Sequence, residues 1–479
     1  MTFPLPYFTR KENYYWYVVG TVCIGAFLAL LDASIINMIM PTLHKDLNAP
    51  LSSVVWVAIA YLLTVTGLMV TFGRLADAVG RGRMYNLGFV VFIVGSALCG
   101  MAPSLAMLVV FRVLQGVGAA MLQTNSVALI TQTTPPEKRG RSLGVQGAAQ
   151  ALGLAAGPTI GGLVVQYFGW RWFFYLSVPF GLLGALLAFL ILPLERHKVE
   201  LSFDYLGAFL FATVASLFLY TLTKGNDWGW GSELFLGMLF LSAVLFAAFY
   251  FWEKHSRDPL IDFTMFHNRT FTAGNISGML SYVVLYGAMF LLPFYLEWVR
   301  MFQPSQVGLI LTPIPLAIGV LAPFSGRLSD RLGSRGLSSV GMGCASAACL
   351  ALSLLSPRAS YLEILAVLLL LGVGLGLFTP PNNSAIMGAA PRDKLSVAGG
   401  ILNMARALGM SLGVAVAGAV FAWGISFYRL AGLTGAREYD LAFRDGIWAL
   451  AILGAVGVLV SLARSKQSQS MKGEPILLE

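Results

Sequence analysis

The residues of this chain best placed to do chemistry are three charges set inside apolar runs: Asp32, Arg112 and Arg406. An ionised carboxylate in the middle of a membrane costs about 2.5–3.5 kcal/mol, so Asp32 should pair, face a wet cavity or take up a proton. At the rise of a helix, Asp32 lies ~12 Å from one end of the first apolar run, and Arg112 reaches ~10 Å into the fourth from the same side. Opposite charges at matching depth suit a proton-titratable site, with Asp32 as the carrier and Arg112 as its modulator. A static clamp between two helices is the alternative. Arg406 is expected roughly 15 Å deep, with no acid in its own run. It can neutralise Asp32 across a cavity, bind an anionic group, or satisfy carbonyls of a broken helix. Arg406, Glu297, Gln115 and Asn37 are the candidates for a substrate cavity.

Other chemistries find no residues. The chain has neither a Gly-x-x-x-x-Gly-Lys-Ser/Thr loop nor a His-Glu-x-x-His pair, and His44, His197, His255 and His267 lie in separate loops. No enzyme, ATP-driven pump, metal site or cofactor is therefore expected. Cys23, Cys99, Cys344 and Cys349 all sit in apolar runs, where a thiol packs as a small hydrophobe, and no disulfide framework follows. The net charge of +9 is spread as short basic clusters between apolar spans, a pattern of membrane topology with no nucleic-acid partner implied.

The elements that must position these residues are membrane helices. Of 479 residues, 57% are hydrophobic and 11% charged, against ~25% charged in an average soluble domain. Fifty-two glycines favour close backbone approach between helices. Windows of about 19 residues mark about fourteen spans, from one near 16–40 to one near 443–463. The first is too long for a signal peptide and lacks a cleavage site, so it is expected to be a retained span. With the N terminus inside, 21 of the 31 Lys and Arg fall in loops on that side and eight on the other, which places both termini in the cytoplasm.

A repeat organises the spans. Gly73-Arg74-Leu-Ala-Asp77-Ala-Val-Gly80-Arg81 recurs 253 residues later as Gly326-Arg-Leu-Ser-Asp330-Arg-Leu-Gly333-Ser334. Gly116, Gly118, Gly144, Gly153, Gly157 and Gly162 recur 256 residues later as Gly372, Gly374, Gly400, Gly409, Gly413 and Gly418. The expected architecture is all-α: a six-helix bundle over 1–194, two inserted helices and linkers over 195–268, and a second six-helix bundle with a short tail over 269–479. Trp228 and Trp230 suit an interfacial belt in the loop of the inserted pair. Leu368 stands opposite Arg112 in the repeat, Gln150 opposite Arg406 and Val414 opposite Pro158, so the fold itself does not require those charges or that proline. Pro158 leaves the Leu154 carbonyl without its N–H partner, and Gly157 with Pro158 can form a bend or a close-packed gate.

These segments resemble the major facilitator superfamily, and within it the fourteen-span branch of drug:proton antiporters. Residues 73–83 are similar to the family's loop motif between spans two and three, Arg112 to Ala120 to its fourth-span motif, and Leu31 to Pro41 to the first-span motif of that branch. Gly153, Gly157, Pro158, Gly161 and Gly162 resemble the antiporter motif of span five. Glu297 stands where the branch more usually has Gln. The resemblance implies a proton-coupled antiporter that exports hydrophobic, cationic drugs or related amphiphiles from the cytoplasm by alternating access. Gly73, Arg74, Asp77, Gly80, Arg81 and Asp330 would form a cytoplasmic latch. The implied partners are a small hydrophobic substrate, protons and the bilayer of the cell (inner) membrane. The protein would be a monomer, with a periplasmic adaptor if its source has two membranes. The alternative on the same scaffold is a lipid or anionic-amphiphile exporter or flippase, with Arg406 holding a phosphate headgroup.

Overall fold

The computed structural model describes residues 13–135, 138–192, 204–256, 261, 263–391 and 395–464, and no strand occurs among them. The long helices are α1 (Tyr14–Asp46), α2 (Trp56–Val79), α3 (Arg81–Met101), α4 (Leu105–Thr133), α5 (Arg139–Phe168), α6 (Trp170–Ile191) and α7 (Tyr205–Trp228). They continue as α8 (Glu233–His255), α9 (Arg269–Phe294), α10 (Pro313–Leu332), α11 (Ser334–Leu354), α12 (Tyr361–Ala389), α13 (Leu395–Leu430) and α14 (Ala436–Leu462). Thirteen segments among the described residues are long and apolar enough to cross a membrane, and α7 adds a shorter apolar stretch over Leu206–Leu222. The protein is an all-α, multi-pass membrane protein. The end of the helices at which α14 finishes is here the terminal face, and the opposite end the far face.

Two expected spans are broken where the sequence reads as continuous. A short helix, Pro304–Leu311, precedes α10; Pro313 has no N–H to offer the Leu309 carbonyl, so the chain restarts there. Likewise the turn Leu51–Val54 precedes α2. Helix α9 ends in one π turn, Tyr295–Val299, which carries Glu297.

The repeated glycines mark repeated helix crossings. Helix α1 lies along α5 as α9 lies along α13, and α3 along α4 as α11 along α12. A Cβ on Gly153 would come 2.5 Å from the Phe27 carbonyl oxygen, and one on Gly413 2.6 Å from that of Val283. At the second pair of crossings, a Cβ on Gly118 would lie 2.7 Å from Phe92 Cα and one on Gly374 2.7 Å from the Gly341 oxygen. Backbone meets backbone at all four, so only glycine permits the approach.

Helix α7 packs against both α2 and α13, with α8 outside it; Leu234, Leu236, Phe240, Phe246 and Phe251 of α8 are exposed, as a lipid-facing helix requires. At the terminal end of the hairpin, the Asp204 carboxylate accepts from Trp252 Nε1 at 2.8 Å and from the Gly207 N–H at 2.7 Å.

Candidate functional site

Four helices converge on Asp32. Arg112 and Gln115, three residues apart on α4, share one helix face toward α1. Arg112 Nη1 donates to Asp32 Oδ2 at 2.6 Å and to Gln115 Oε1 at 2.6 Å, while its Nε donates to the Val57 carbonyl of α2 at 2.9 Å. Gln115 Nε2 donates to Asp32 Oδ1 at 2.9 Å and meets Ser96 Oγ of α3 at 2.7 Å. The guanidinium carbon lies 4.1 Å from the centre of the Tyr61 ring. Asp32, Arg112 and Gln115 are all 0% exposed. Helix α3 reaches them because residue 95 is glycine: a Cβ there would lie 2.6 Å from Gln115 Cα. The expected pairing of Asp32 with Arg112 is present, held by a neutral amide that touches both charges.

Gln115 was expected in the substrate cavity; instead its amide, donor at one end and acceptor at the other, bridges the ion pair. Asn37, further along α1, is also buried, and neither of its amide atoms has a partner. Glu297 sits at the far-face end of α9, within electrostatic reach of Lys45, with Oε1 unpartnered. Of the four cavity candidates, only Arg406 lines the cleft between α9, α12 and α13, together with Asn275, Gly278, Tyr282, Asn382 and Asn383. Its guanidinium lies 5.1 Å from the centre of the Tyr282 ring, and its Nε has no hydrogen-bond partner.

Arg464 is a functional candidate that sequence reasoning missed, because it reads as one more cation just past the last span. It is 2% exposed. Its Nη2 donates to Ser277 Oγ at 2.6 Å and to Asn382 Oδ1. Burial lowers its pKa to about 10, so it stays charged at neutral pH. No spacing in the sequence announces this position.

The halves are joined on the far face by a reciprocal crossing. A Cβ on Gly162 of α5 would collide with the Pro304 carbonyl, and a Cβ on Gly308 with the Pro158 carbonyl. The Thr159 and Thr312 hydroxyls are hydrogen-bonded, Gln166 Nε2 donates to Gln303 Oε1 at 2.9 Å, and the Ser305 N–H donates to Gln166 Oε1 at 3.1 Å. Gly418, the repeat partner of Gly162, faces Val55 of the other half, where a Cβ would lie 3.1 Å from Val55 Cγ2. Within the first half, Gly157 and Gly161 let α5 settle on Ser34 and Ile35 of α1. The Leu154 carbonyl that Pro158 leaves open is not orphaned: Ser34 Oγ donates to it at 3.0 Å.

The loop motif ends helices in both halves at positive-φ glycines, Gly80 at +103° and Gly333 at +85°, a conformation that other residues adopt with strain. Gly73 packs against Thr124 and Arg81 is part-buried. Of the residues of the expected latch, the side chains of Arg74, Asp77 and Asp330 lie outside the described residues.

Paired helix crossings in two halves, a buried charge cluster in one half and a polar cleft in the other define a membrane transporter built from a helical repeat. The model of the Major Facilitator Superfamily matches twice, over residues 22–203 and 201–414. The chain is 33% identical to riboflavin transporter RibZ of Clostridioides difficile over 452 residues, 93% of this chain and 97% of the relative. It is 33% identical to the tetracenomycin C resistance and export protein of Streptomyces glaucescens over 85% of this chain and 76% of the relative. With multidrug transporter protein MdtP of Bacillus subtilis the identity is 29%, over 86% and 76%. A solved bacterial homologue of the human lysosomal transporter Spinster superposes with a TM-score of 0.69 at 15% identity, covering 96% of this chain and all of that one. The chain belongs to the Major Facilitator Superfamily.

Proposed function

We propose that the protein is a proton-coupled exporter of hydrophobic drugs or related amphiphiles. Both termini are cytoplasmic, and the halves 1–194 and 269–479 rock about a central path. The observation that carries this reading is the Asp32–Arg112–Gln115 cluster: it is wholly buried, built from four helices, and has no counterpart at Leu368 in the other half. A charge pair that the fold does not need, placed at membrane depth, is expected to do work. Protonation of Asp32 removes the counterion of Arg112 and frees α1 from α4, and α1 packs along the α5 that forms the far-face crossing. Substrate and proton thereby compete through helix position without sharing a site. The relatives named for drug resistance and export support the substrate class. The cationic preference expected from the sequence finds no carboxylate among the residues lining the cleft.

The test is counterflow in proteoliposomes with an imposed proton gradient, recording substrate flux and proton release across a pH series. Asp32→Asn, which imitates the protonated carboxyl, should abolish net proton-driven export while the protein still inserts. Undiminished coupled flux in that variant would refute the assignment and leave Glu297 as the next carrier to examine. A second reading, carriage of a heteroaromatic vitamin, is favoured by the near full-length similarity to the riboflavin transporter. Radiolabelled riboflavin in the same vesicles separates the two.

A further inference from the structure

Among the described residues, the cleft between α9, α12 and α13 is lined by one cation and no carboxylate. Arg406 lines it with Nε unpartnered, while the Asn275 Nδ2 that also borders it is already donated to the Phe271 carbonyl at 2.9 Å. Behind Asn382, which also lines it, Arg464 is 2% exposed with Nε and Nη1 both unpartnered. Among the described residues neither arginine forms an ion pair. An unpaired cation taken out of water is costly, and leaving its N–H groups unsatisfied adds to that cost. Arg406 faces the cleft without such a partner among the described residues, and a bound anion would supply one. Arg464 fixes the Asn382 carbonyl, Asn382 Nδ2 donates to the Gly274 carbonyl at 3.2 Å, and the Tyr282 ring centre lies 5.1 Å from the Arg406 guanidinium, whose Nε is left without a protein partner. The mirrored position in the first half is Gln150, so the fold itself does not demand a cation at Arg406.

We propose that Arg406, with Arg464 and Asn382 as positioning residues, forms an anion-recognising subsite, and that the transported amphiphile carries an ionised oxyanion group such as a carboxylate. Guanidinium groups take carboxylate and phosphate through paired N–H donors, and a cleft without acids repels no anion. The charge opposes the usual expectation for a lipophilic drug and selects among amphiphiles of similar size. This inference rests on the transporter reading for the ligand's route, but binding at the cleft is measurable without transport.

The experiment uses the full chain in nanodiscs and three fluorescent dodecyl probes that differ only in a terminal carboxylate, primary amide or trimethylammonium. Equilibrium binding by anisotropy should favour the carboxylate over the amide by about tenfold or more, as one charge-assisted pair supplies. Arg406→Gln should erase that preference while the amide binds as before, and Arg406→Lys should retain part of it. Arg464→Gln should weaken the preference; if this variant does not elute as a monodisperse peak, Asn382→Ala tests the same arm. Equal binding of carboxylate and amide to the parent protein, a preference for trimethylammonium, or a carboxylate preference that survives Arg406→Gln overturns the proposal. Flipping of a nitrobenzoxadiazole-labelled phosphatidylglycerol that Arg406→Gln abolishes assigns the anion to a lipid headgroup. Displacement of the probe by a soluble carboxylate amphiphile assigns it to a free solute. Carboxylate preference without proton-coupled flux leaves this subsite standing and sinks the exporter. Coupled flux of a cation without carboxylate preference does the reverse.

Discussion

Replacing Gly162 by Ala places a methyl group where the structure has only backbone. Its Cβ would collide with the Pro304 carbonyl oxygen and lie 3.0 Å from the Pro304 carbonyl carbon and 3.1 Å from Ser305 Cα. None of these atoms is the end of a flexible side chain, so relief requires α5 and the helix Pro304–Leu311 to separate. Overpacking of this kind costs about 1–3 kcal/mol. It is paid only while the far face is closed, so the closed-to-open ratio should fall by about 5- to 150-fold. Gly308→Ala attacks the same crossing from the other half and should act in the same direction. Gly147→Ala, also on α5, meets nothing within 4 Å and serves as the control, since any gain in helix propensity applies equally to both states. The assay is pulsed electron double resonance between spin labels at Asp46→Cys and Arg358→Cys, two exposed far-face positions in opposite halves, with the four native cysteines replaced. Both crossing variants should gain a population at longer distance. Distributions identical to the parent in both would refute the reasoning, because the contact would then yield without opening the gate.

Three further outcomes follow from the site. Arg112→Leu leaves the Asp32 carboxylate buried with Gln115 alone; breaking a buried pair costs about 3–5 kcal/mol, which a lower melting temperature in detergent should report and which Asp32→Asn in the same chain should largely restore. Ser34→Ala removes the donor to the Leu154 carbonyl, an unsatisfied group worth about 1–3 kcal/mol, whereas in a Pro158→Ala background the backbone supplies that donor; a double-mutant cycle with no coupling between the two would refute this account. Pro158→Ala alone should impair turnover more than abundance. For topology, a maleimide should label Gly336→Cys only from the cytoplasm and Thr434→Cys only from outside, both positions being exposed; labelling of both from one side would break the span count.

The sequence determined the membrane helices and the repeated glycine crossings, because each depends on local pattern: apolar run length and spacing of glycines. Asp32 and Arg112 were legible as partners since two opposite charges at one depth have few other solutions in lipid. What only the tertiary structure decided depends on which faces meet. Gln115 reads as a polar residue near a cavity but bridges the ion pair, because α1 and α4 meet on the face it shares with Arg112. Arg464 reads as a topological cation but turns inward, because Ser277 of α9 and Asn382 of α12 provide acceptors at the end of α14. Ser34 satisfies a carbonyl 120 residues away that the sequence left open. The reciprocal crossing of Gly162 and Gly308 joins two copies of a repeat; periodicity reveals each copy, but only packing in three dimensions reveals where one closes on the other.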